Sequence, residues 1–171
     1  IQLFVLHEYD RDIMEVNYHY YEPRTHHRSS LSPGVHAIIA SQIGNLDQAY
    51  RYYLKSSLVD ISNSHPPTSG GTFIGGVHTA ACGIAWQIIV FGFAGFKQKG
   101  NVLKFQPSLP EHWTHIHFRL MIQGVSLLVY ADHHSLEVES LAGIADFKII
   151  CFDKEKRLKG QQKLIITDAS T

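Results

Sequence analysis

The chain has 171 residues, of which 44% are hydrophobic and 18% are charged, a balance that excludes a disordered or low-complexity protein. Its length suits one domain or little more, with a substantial hydrophobic core. Lys and Arg together number 15 and so do Asp and Glu, so no net charge draws the chain to nucleic acid or to an anionic membrane.

The opening sequence, IQLFVLHEYD, has neither the basic start nor the small-residue cleavage site of a secretory signal. It has the composition of a helix, but no capping residue precedes it. We therefore expect the chain to begin inside a helix and to be a piece of a longer protein.

Helical spacing of apolar residues continues to about residue 97. Ser32 and Pro33 predict the N-cap and first turn of a helix that Gly44 ends. One face of this helix is apolar, at Val35, Ile38, Ile39 and Ile43. A second apolar stripe follows after a two-residue turn, at Leu46, Ala49, Tyr50, Tyr53 and Leu58. The two segments are predicted to pack as an antiparallel helical hairpin.

Residues 62–76, SNSHPPTSGGTFIGG, are rich in Gly and Pro, which favours a functional loop. The next segment, VHTAACGIAWQIIVFGFAGF, is apolar on nearly every side. Its apolar run is at the lower limit for crossing a membrane and contains Gln87. We therefore expect a helix buried in a protein core.

The pattern changes from helical spacing to alternation after Lys97. In WTHIHFRLMI, apolar side chains alternate with His115, His117 and Arg119, which predicts a half-buried strand. Gln123-Gly124 predicts a hairpin turn, and VSLLVYA, LEVES, DFKIICF and KLIIT continue at hairpin spacing. The tail is therefore predicted to be a small antiparallel sheet or sandwich.

Two helix starts carry groups suited to an anion, because unpaired backbone N–H groups and the helix dipole favour negative charge there. The first is RTHHRSSLSP, in which His27 and Arg28 precede Ser29, Ser30 and Ser32. The second is GTFIGGVHTAA, in which His78 lies at the start of the buried helix. An ordinary serine cap and a core histidine are the structural alternatives.

Other chemistry has weaker support in the sequence. His115, His117, His133 and His134 lie on neighbouring predicted strands, but no Glu follows at the spacing of a cupin metal site, so no metal is expected. Glu22 and Asp60 are candidates for the polar lining of a site, with capping and salt bridging as the alternative. The two cysteines, Cys82 and Cys151, are too few for a disulfide framework and suit a reducing compartment. No activated nucleophile is evident.

Three segments together resemble glycoside hydrolase family 65, in particular its disaccharide phosphorylases of the maltose, kojibiose and trehalose type. They are NYHYYEPRTHHRSSLSPGVHAIIASQIG, GGVHTAACGIAWQIIVFGFAGF and LKFQPSLPEHWTHIHFRLMIQG. The resemblance implies an α+β chain in which residues 1–97 are the last helices of an (α/α)6 catalytic barrel. Residues 98–171 would be the small antiparallel β-sandwich domain at the C-terminal end.

In that family, inorganic phosphate attacks the anomeric carbon while a glutamic acid protonates the glycosidic oxygen, and inversion gives β-glucose 1-phosphate. The resemblance implies that Ser29, Ser30 and His78 bind phosphate, with the backbone N–H of Gly76 as a further donor. His27 would support them, and Arg28, although it departs from the family pattern, is expected to strengthen anion binding as a second supporting residue. The partners would be a disaccharide and inorganic phosphate, with no cofactor, no nucleic acid and no membrane.

The family's catalytic glutamate would precede Ile1, so we expect the isolated chain to be inactive and to need the upstream part of the same enzyme. A family hydrolase and a non-catalytic carbohydrate-binding module are the alternatives. Cytoplasmic localisation is expected, and because members of the family often dimerise, a homodimer is a candidate oligomeric state. Two residues depart from the family pattern: Arg28 stands where an acidic or small polar residue is common, and Ile84 where a second glycine is common.

Overall fold

A computed structural model of the protein describes residues 10–27, 29–62 and 77–168. The described residues form four α-helices followed by eight strands, so the chain is α+β as expected. They divide between Gly92 and Phe93 into a helical unit and a strand unit. Residues 1–9 of the predicted opening helix and residues 63–76 of the predicted loop lie outside the described residues, so both stay predictions.

The first helix, α1, runs from Arg11 to Tyr21 and continues into a short 3-10 turn at Glu22–Arg24. Its buried side chains, Met14 and Tyr18, are four residues apart and therefore lie on one face.

Helix α2 runs from Ser32 to Ile43 and ends at Gly44, which takes the left-handed conformation with φ 88°. The predicted end is confirmed, but the predicted cap is one residue off. Leu31 is the N-cap and Ser32 is the first helical residue, and no side chain caps the helix. Because the helix is buried around most of its circumference, the predicted single apolar face is too narrow.

Helix α3 runs from Leu46 to Ser57, after a turn in which the Asn45 side chain accepts a hydrogen bond from the backbone N–H of Gln48. It packs against α2, as the predicted hairpin requires. The predicted apolar stripe is partly wrong. The buried residues are Ala49, Tyr52 and Ser56, whereas Tyr50 and Tyr53 are half-buried and stack on each other.

Helix α4 runs from Thr79 to Gln87 and continues as a π-helix at Ile88–Phe93. Within this chain, its first half is not buried all round as expected: Ala81 and Ile84 are buried, but Cys82 and Trp86 are exposed. Among the described residues, none of the helices has the length and apolar character needed to cross a membrane.

The strands of the second unit are β1 (Lys97–Lys99), β2 (Val102–Lys104), β3 (His115–Ile122), β4 (Val125–Asp132), β5 (Ser135–Ala142), β6 (Ala145–Cys151), β7 (Lys154–Gly160) and β8 (Lys163–Thr167). They form two four-stranded sheets, in the orders β3-β4-β5-β8 and β1-β2-β6-β7. The alternation predicted for β3 is confirmed: Ile116, Phe118, Leu120 and Ile122 are buried, and the intervening His115, His117 and Arg119 are exposed. The Gln123-Gly124 turn, with φ 50° and 78°, joins β3 to β4 as predicted.

The second sheet differs from the predicted antiparallel arrangement. β2 and β6 run parallel, with Leu103 opposite Ile149. Strand β7 lies at the edge of this sheet, and Leu158 is its single buried residue. A strand of this kind shows almost no alternation of apolar and polar residues, so β7 could not be predicted from periodicity.

Candidate functional site

The serine-rich segment connects the 3-10 turn to helix α2. Ser29 is exposed and Ser30 is half-buried. The Ser29 hydroxyl accepts a hydrogen bond from the backbone N–H of Leu31 at 3.3 Å. This local turn holds the two serines immediately before the first turn of α2.

His27 fixes the start of this segment to the helical hairpin. Its Nδ1 lies 3.0 Å from the Ser32 hydroxyl on α2, and its Nε2 lies 3.0 Å from the Tyr52 hydroxyl on α3. Tyr52 in turn donates to a carboxylate oxygen of Glu22. One residue, two positions before Ser29, therefore contacts both helices of the hairpin.

These contacts determine the hydrogen positions. Tyr52 gives its hydrogen to Glu22, so its oxygen is left to accept from His27 Nε2–H. A neutral ring protonated at Nε2 has an unprotonated Nδ1, which accepts from the Ser32 hydroxyl. The result is a directed chain from Ser32 through His27 and Tyr52 to Glu22.

The electrostatic surroundings keep His27 neutral. Burial lowers the pKa of His27, and the neighbouring His36 lowers it further, while Glu22 opposes both effects. The His27 and His36 rings are 4.6 Å apart, edge to face. Burial and the hydrogen bond to Glu22 raise the pKa of Tyr52 to about 12, so the phenol keeps its hydrogen.

His78 lies at the N-cap of α4 and is bound to Asp60, which follows the end of α3. Nδ1 of His78 is 2.5 Å from Asp60 Oδ1, and its backbone N–H donates to Oδ2 at 2.8 Å. The hydrogen bonds from His78 lower the pKa of the Asp60 carboxyl. Asp60 is therefore a carboxylate at neutral pH.

The structure thus places the predicted residues in two groups. His27 belongs to the hydrogen-bonded chain beside Ser29 and Ser30, and His78 belongs to the pair with Asp60. Within the described ranges, these two sets of hydrogen bonds share no residue, but each is anchored on α3 or directly after it. Arg28 and Gly76 lie outside the described residues.

Two participants, Tyr52 and His36, were not predicted from the sequence. The predicted apolar stripe of α3 runs through Tyr50 and Tyr53 and does not include Tyr52. Ala49, Tyr52 and Ser56 also have helical spacing, and they are the buried residues of α3. A prediction based on this second stripe would have included Tyr52. Glu22 and Asp60 are predicted candidates for polar lining, and in the structure Glu22 binds Tyr52 and Asp60 binds His78.

The departure at Ile84 is explained by packing in the helical unit. Ile84 is 8% exposed, and a Cβ at Gly34 on α2 would lie only 2.3 Å from its Cγ1. Because Gly34 has no side chain, the side chain of Ile84 fits against α2 at this point. Helix α4 therefore packs on α2 with isoleucine in place of the family's second glycine.

The histidines of the strand unit make contacts of other kinds. His115 stacks on Tyr130 with ring centroids 5.0 Å apart. Nε2 of His133 lies 2.8 Å from the carbonyl oxygen of Trp113. Across residues 10–27, 29–62 and 77–168, no group of three or more His, Cys, Asp or Glu side chains is arranged to hold a metal ion.

Comparison with known families identifies both parts of the chain. Residues 1–87 match the family model described as the glycosyl hydrolase family 65 central catalytic domain, and residues 96–158 match that of the family's C-terminal domain. The chain belongs to glycosyl hydrolase family 65.

Similar members of family 65 are phosphorylases by name. The 1,2-α-glucosylglycerol phosphorylase of Bacillus selenitireducens is 49% identical over 75% of this chain and 17% of its own length. The kojibiose phosphorylase of Halothermothrix orenii is 40% identical over 93% of this chain and 20% of its own length. The α,α-trehalose phosphorylase of Geobacillus stearothermophilus is 35% identical over 94% of this chain and 20% of its own length.

A solved structure supports the same assignment. A candidate kojibiose phosphorylase from the human microbiome superposes with a TM-score of 0.81 at 29% identity, over 97% of this chain and 23% of that one. The chain thus spans about a fifth of the length of the family 65 relatives that it matches.

Proposed function

We propose that this chain is part of an inverting disaccharide phosphorylase, which transfers a glucosyl group from an α-glucoside to inorganic phosphate and releases β-glucose 1-phosphate. The observation that carries the proposal is the agreement of its relatives. At 35 to 49% identity over 75 to 94% of the chain, they are named as phosphorylases of glucosylglycerol, kojibiose and trehalose.

The proposed contribution of this chain is the phosphate site, formed by Ser29, Ser30 and His78 and supported by His27. An inverting glycosidase needs two carboxyl groups, one to protonate the leaving oxygen and one to activate water. A phosphorylase replaces the base and the water by phosphate, so it needs one acid and a set of donors for an anion. Hydroxyls and a histidine are suitable donors. Arg28 and the backbone N–H of Gly76 stay predicted members of this site.

Packing within the helical unit supports a common site for the serines and His78. The Gly34–Ile84 contact brings the first turn of α2 against α4. Ser30 lies four residues before Gly34, and His78 lies six residues before Ile84, which is about 9 Å along a helix axis. Both groups are therefore within a few residues of one point of helix contact.

The remaining parts of the proposal concern the complete enzyme. The helices would belong to an (α/α)6 barrel, the two sheets would form a β-sandwich domain, and the acid that protonates the glycosidic oxygen would lie outside this chain. The reaction would need no cofactor, and the enzyme would work in the cytoplasm as a monomer or a homodimer. The isolated chain would be inactive.

The test is a chimera in which this chain replaces the matching segment of the Bacillus selenitireducens relative. With 1,2-α-glucosylglycerol and inorganic phosphate, it should release glucose 1-phosphate, whereas the isolated chain should not. His78→Ala should lower this activity by about 100-fold or more, the usual cost of removing one donor to a reacting oxyanion. His133→Ala is the matched control, because His133 lies in the other unit and should leave the activity unchanged.

The same assay in phosphate-free buffer separates the alternatives. Release of free glucose at an undiminished rate would indicate a hydrolase and would contradict the proposal. A His78→Ala chimera as active as the parent would remove His78 from the phosphate site.

A further inference from the structure

The carboxylate of Asp60 binds His78 twice, at the ring and at the backbone. Oδ1 is 2.5 Å from the ring Nδ1, and Oδ2 accepts the backbone N–H at 2.8 Å. A carboxylate has no hydrogen to give, so both contacts require a hydrogen on the His78 side. Nδ1 of His78 is therefore protonated.

Protonation of Nδ1 defines the role of the other ring nitrogen. The described residues supply no partner for Nε2, and the His78 side chain is 28% exposed. Nε2 is thus the atom with which the ring can meet a ligand. In a neutral ring it can only accept a hydrogen bond, and in an imidazolium it donates one.

We propose that Asp60 is a positioning residue for His78, and that it holds the ring so that a phosphate oxyanion is met by an imidazolium donating through Nε2–H. The proton on Nε2 comes from dihydrogen phosphate, which becomes the hydrogen phosphate dianion that the ring then binds, and Asp60 balances the charge that the ring gains. The part of this inference that concerns phosphate rests on the proposed function. The part that concerns the ring rests on the Asp60–His78 contacts alone.

A merely structural role for Asp60 would need only one of its two contacts. The bond from Oδ2 to the backbone N–H is enough to tie the start of α4 to the end of α3. The bond from Oδ1 to the ring adds nothing to that connection, but it fixes the tautomer and the ring orientation. Asparagine in place of a carboxylate that orients a histidine is known to preserve geometry while trapping the wrong tautomer.

The first experiment is nitrogen NMR of the histidine rings in the 171-residue chain and in Asp60→Asn. Asparagine has one acceptor and one donor group, so its oxygen can keep the backbone N–H of His78 while its amide donates to Nδ1. We expect the protonated-nitrogen signal of His78 at Nδ1 in the parent and at Nε2 in Asp60→Asn. Asp47→Asn, an exposed substitution on α3, is the matched control and should keep the parent pattern.

Asp60→Glu provides a second test in case Asp60→Asn does not fold. Glutamate is still an acceptor-only carboxylate, so it should keep the hydrogen on Nδ1. The same tautomer in Asp60→Asn as in the parent would overturn the inference. So would an Nε2–H tautomer in Asp60→Glu, if the asparagine variant does not fold.

The second experiment is titration of the same samples with inorganic phosphate, with chloride at equal ionic strength as the reference. In the parent, phosphate should move both His78 nitrogens towards the imidazolium pattern, and Asp60→Asn should bind about tenfold more weakly, as when other supporting residues of a ligand are removed. Equal affinity in both proteins would overturn the inference. No response in the parent would refute the phosphate site itself, while the tautomer result would still decide whether Asp60 sets the ring.

Discussion

Tyr52 donates its phenolic hydrogen to a carboxylate oxygen of Glu22, 30 residues earlier in the chain. The same phenolic oxygen faces Nε2 of His27. One buried side chain on α3 thus connects the turn after α1 with the segment that carries Ser29 and Ser30. Tyr52 is not predicted to bind phosphate itself. Its contact with His27 helps to hold the segment that carries the two serines.

Replacing Tyr52 by Phe should destabilise the helical unit. The ring still fills its place, but Glu22 loses a donor and His27 Nε2–H loses its acceptor. Glu22 and His27 are half-buried, so water replaces part of what they lose, and the expected cost is that of a lost hydrogen bond, about 0.5–1.5 kcal/mol of unfolding free energy. Denaturant titration measures this loss. Tyr20→Phe, at an exposed position on α1, should change stability by less than about 0.5 kcal/mol, and equal losses in both variants would contradict the role of the Tyr52 hydroxyl.

His27 should make the helical unit less stable at mildly acidic pH. Its pKa is lowered in the folded state, mainly by burial, whereas in the unfolded chain it takes its ordinary value of about 6.5. As the pH falls below that value, the unfolded state binds a proton that the folded state does not, so stability falls until the pH reaches the folded pKa. Above about pH 6.5 this contribution is constant.

The measurement is the unfolding free energy of the parent and of His27→Gln between pH 5 and pH 8. The variant is less stable throughout, but its stability should fall less steeply below pH 6.5. His133→Gln controls for the loss of an exposed histidine and should keep the slope of the parent. Parallel curves for the parent and His27→Gln would show that His27 does not titrate differently on folding.

Gly34 and Ile84 should behave as a coupled pair. A Cβ at Gly34 would lie 2.3 and 2.7 Å from the two γ-carbons of Ile84, which are held close to the backbone of α4 by a stiff χ1 angle. Gly34→Ala should therefore cost about 1–3 kcal/mol through overpacking, more than the roughly 1 kcal/mol that alanine gains in a helix. In Gly34→Ala with Ile84→Ala, the combined loss should be smaller than the sum of the single losses.

Gly83→Ala is the control for this pair, because a Cβ at Gly83 meets no atom within 4 Å. It should leave stability unchanged or raise it by up to about 1 kcal/mol. Thermal or denaturant unfolding of the parent, the two single variants, the double variant and Gly83→Ala measures these effects. Additive losses in the double variant would mean that α2 and α4 do not pack at this point.

Local signals in the sequence predicted much of the fold. Pro33 marks the start of α2 because its ring fixes φ near the helical value, and Gly44 marks the end because glycine adopts the left-handed conformation easily. The alternation in β3 arises because only one face of its sheet is buried. Pairing between distant segments leaves no such local signal. The parallel pairing of β2 with β6, across more than forty residues, therefore could not be predicted.

In the candidate site, too, residues with a local sequence signal were predicted and their distant partners were not. His78 and the serines were predicted as site residues because they stand at helix starts next to a recognisable pattern, and their binding of phosphate stays a prediction. The partner of His78 was not predicted, since Asp60 precedes it by 18 residues and a lone carboxylate after a helix has many uses. Tyr52 was missed because a helix with several tyrosines allows more than one apolar stripe.

The two cysteines should differ sharply in reactivity and thereby report on the strand unit. Cys82 is exposed, whereas burial raises the pKa of the Cys151 thiol to about 12. At pH 8, an alkylating reagent should modify one thiol per chain quickly and the second only when the strand unit opens, because the thiolate is the reactive form. Mass spectrometry with increasing denaturant measures this. In Cys82→Ser the fast phase should disappear while the slow phase keeps its denaturant midpoint, and rapid labelling of Cys151 in native buffer would show that the core around β6 is open.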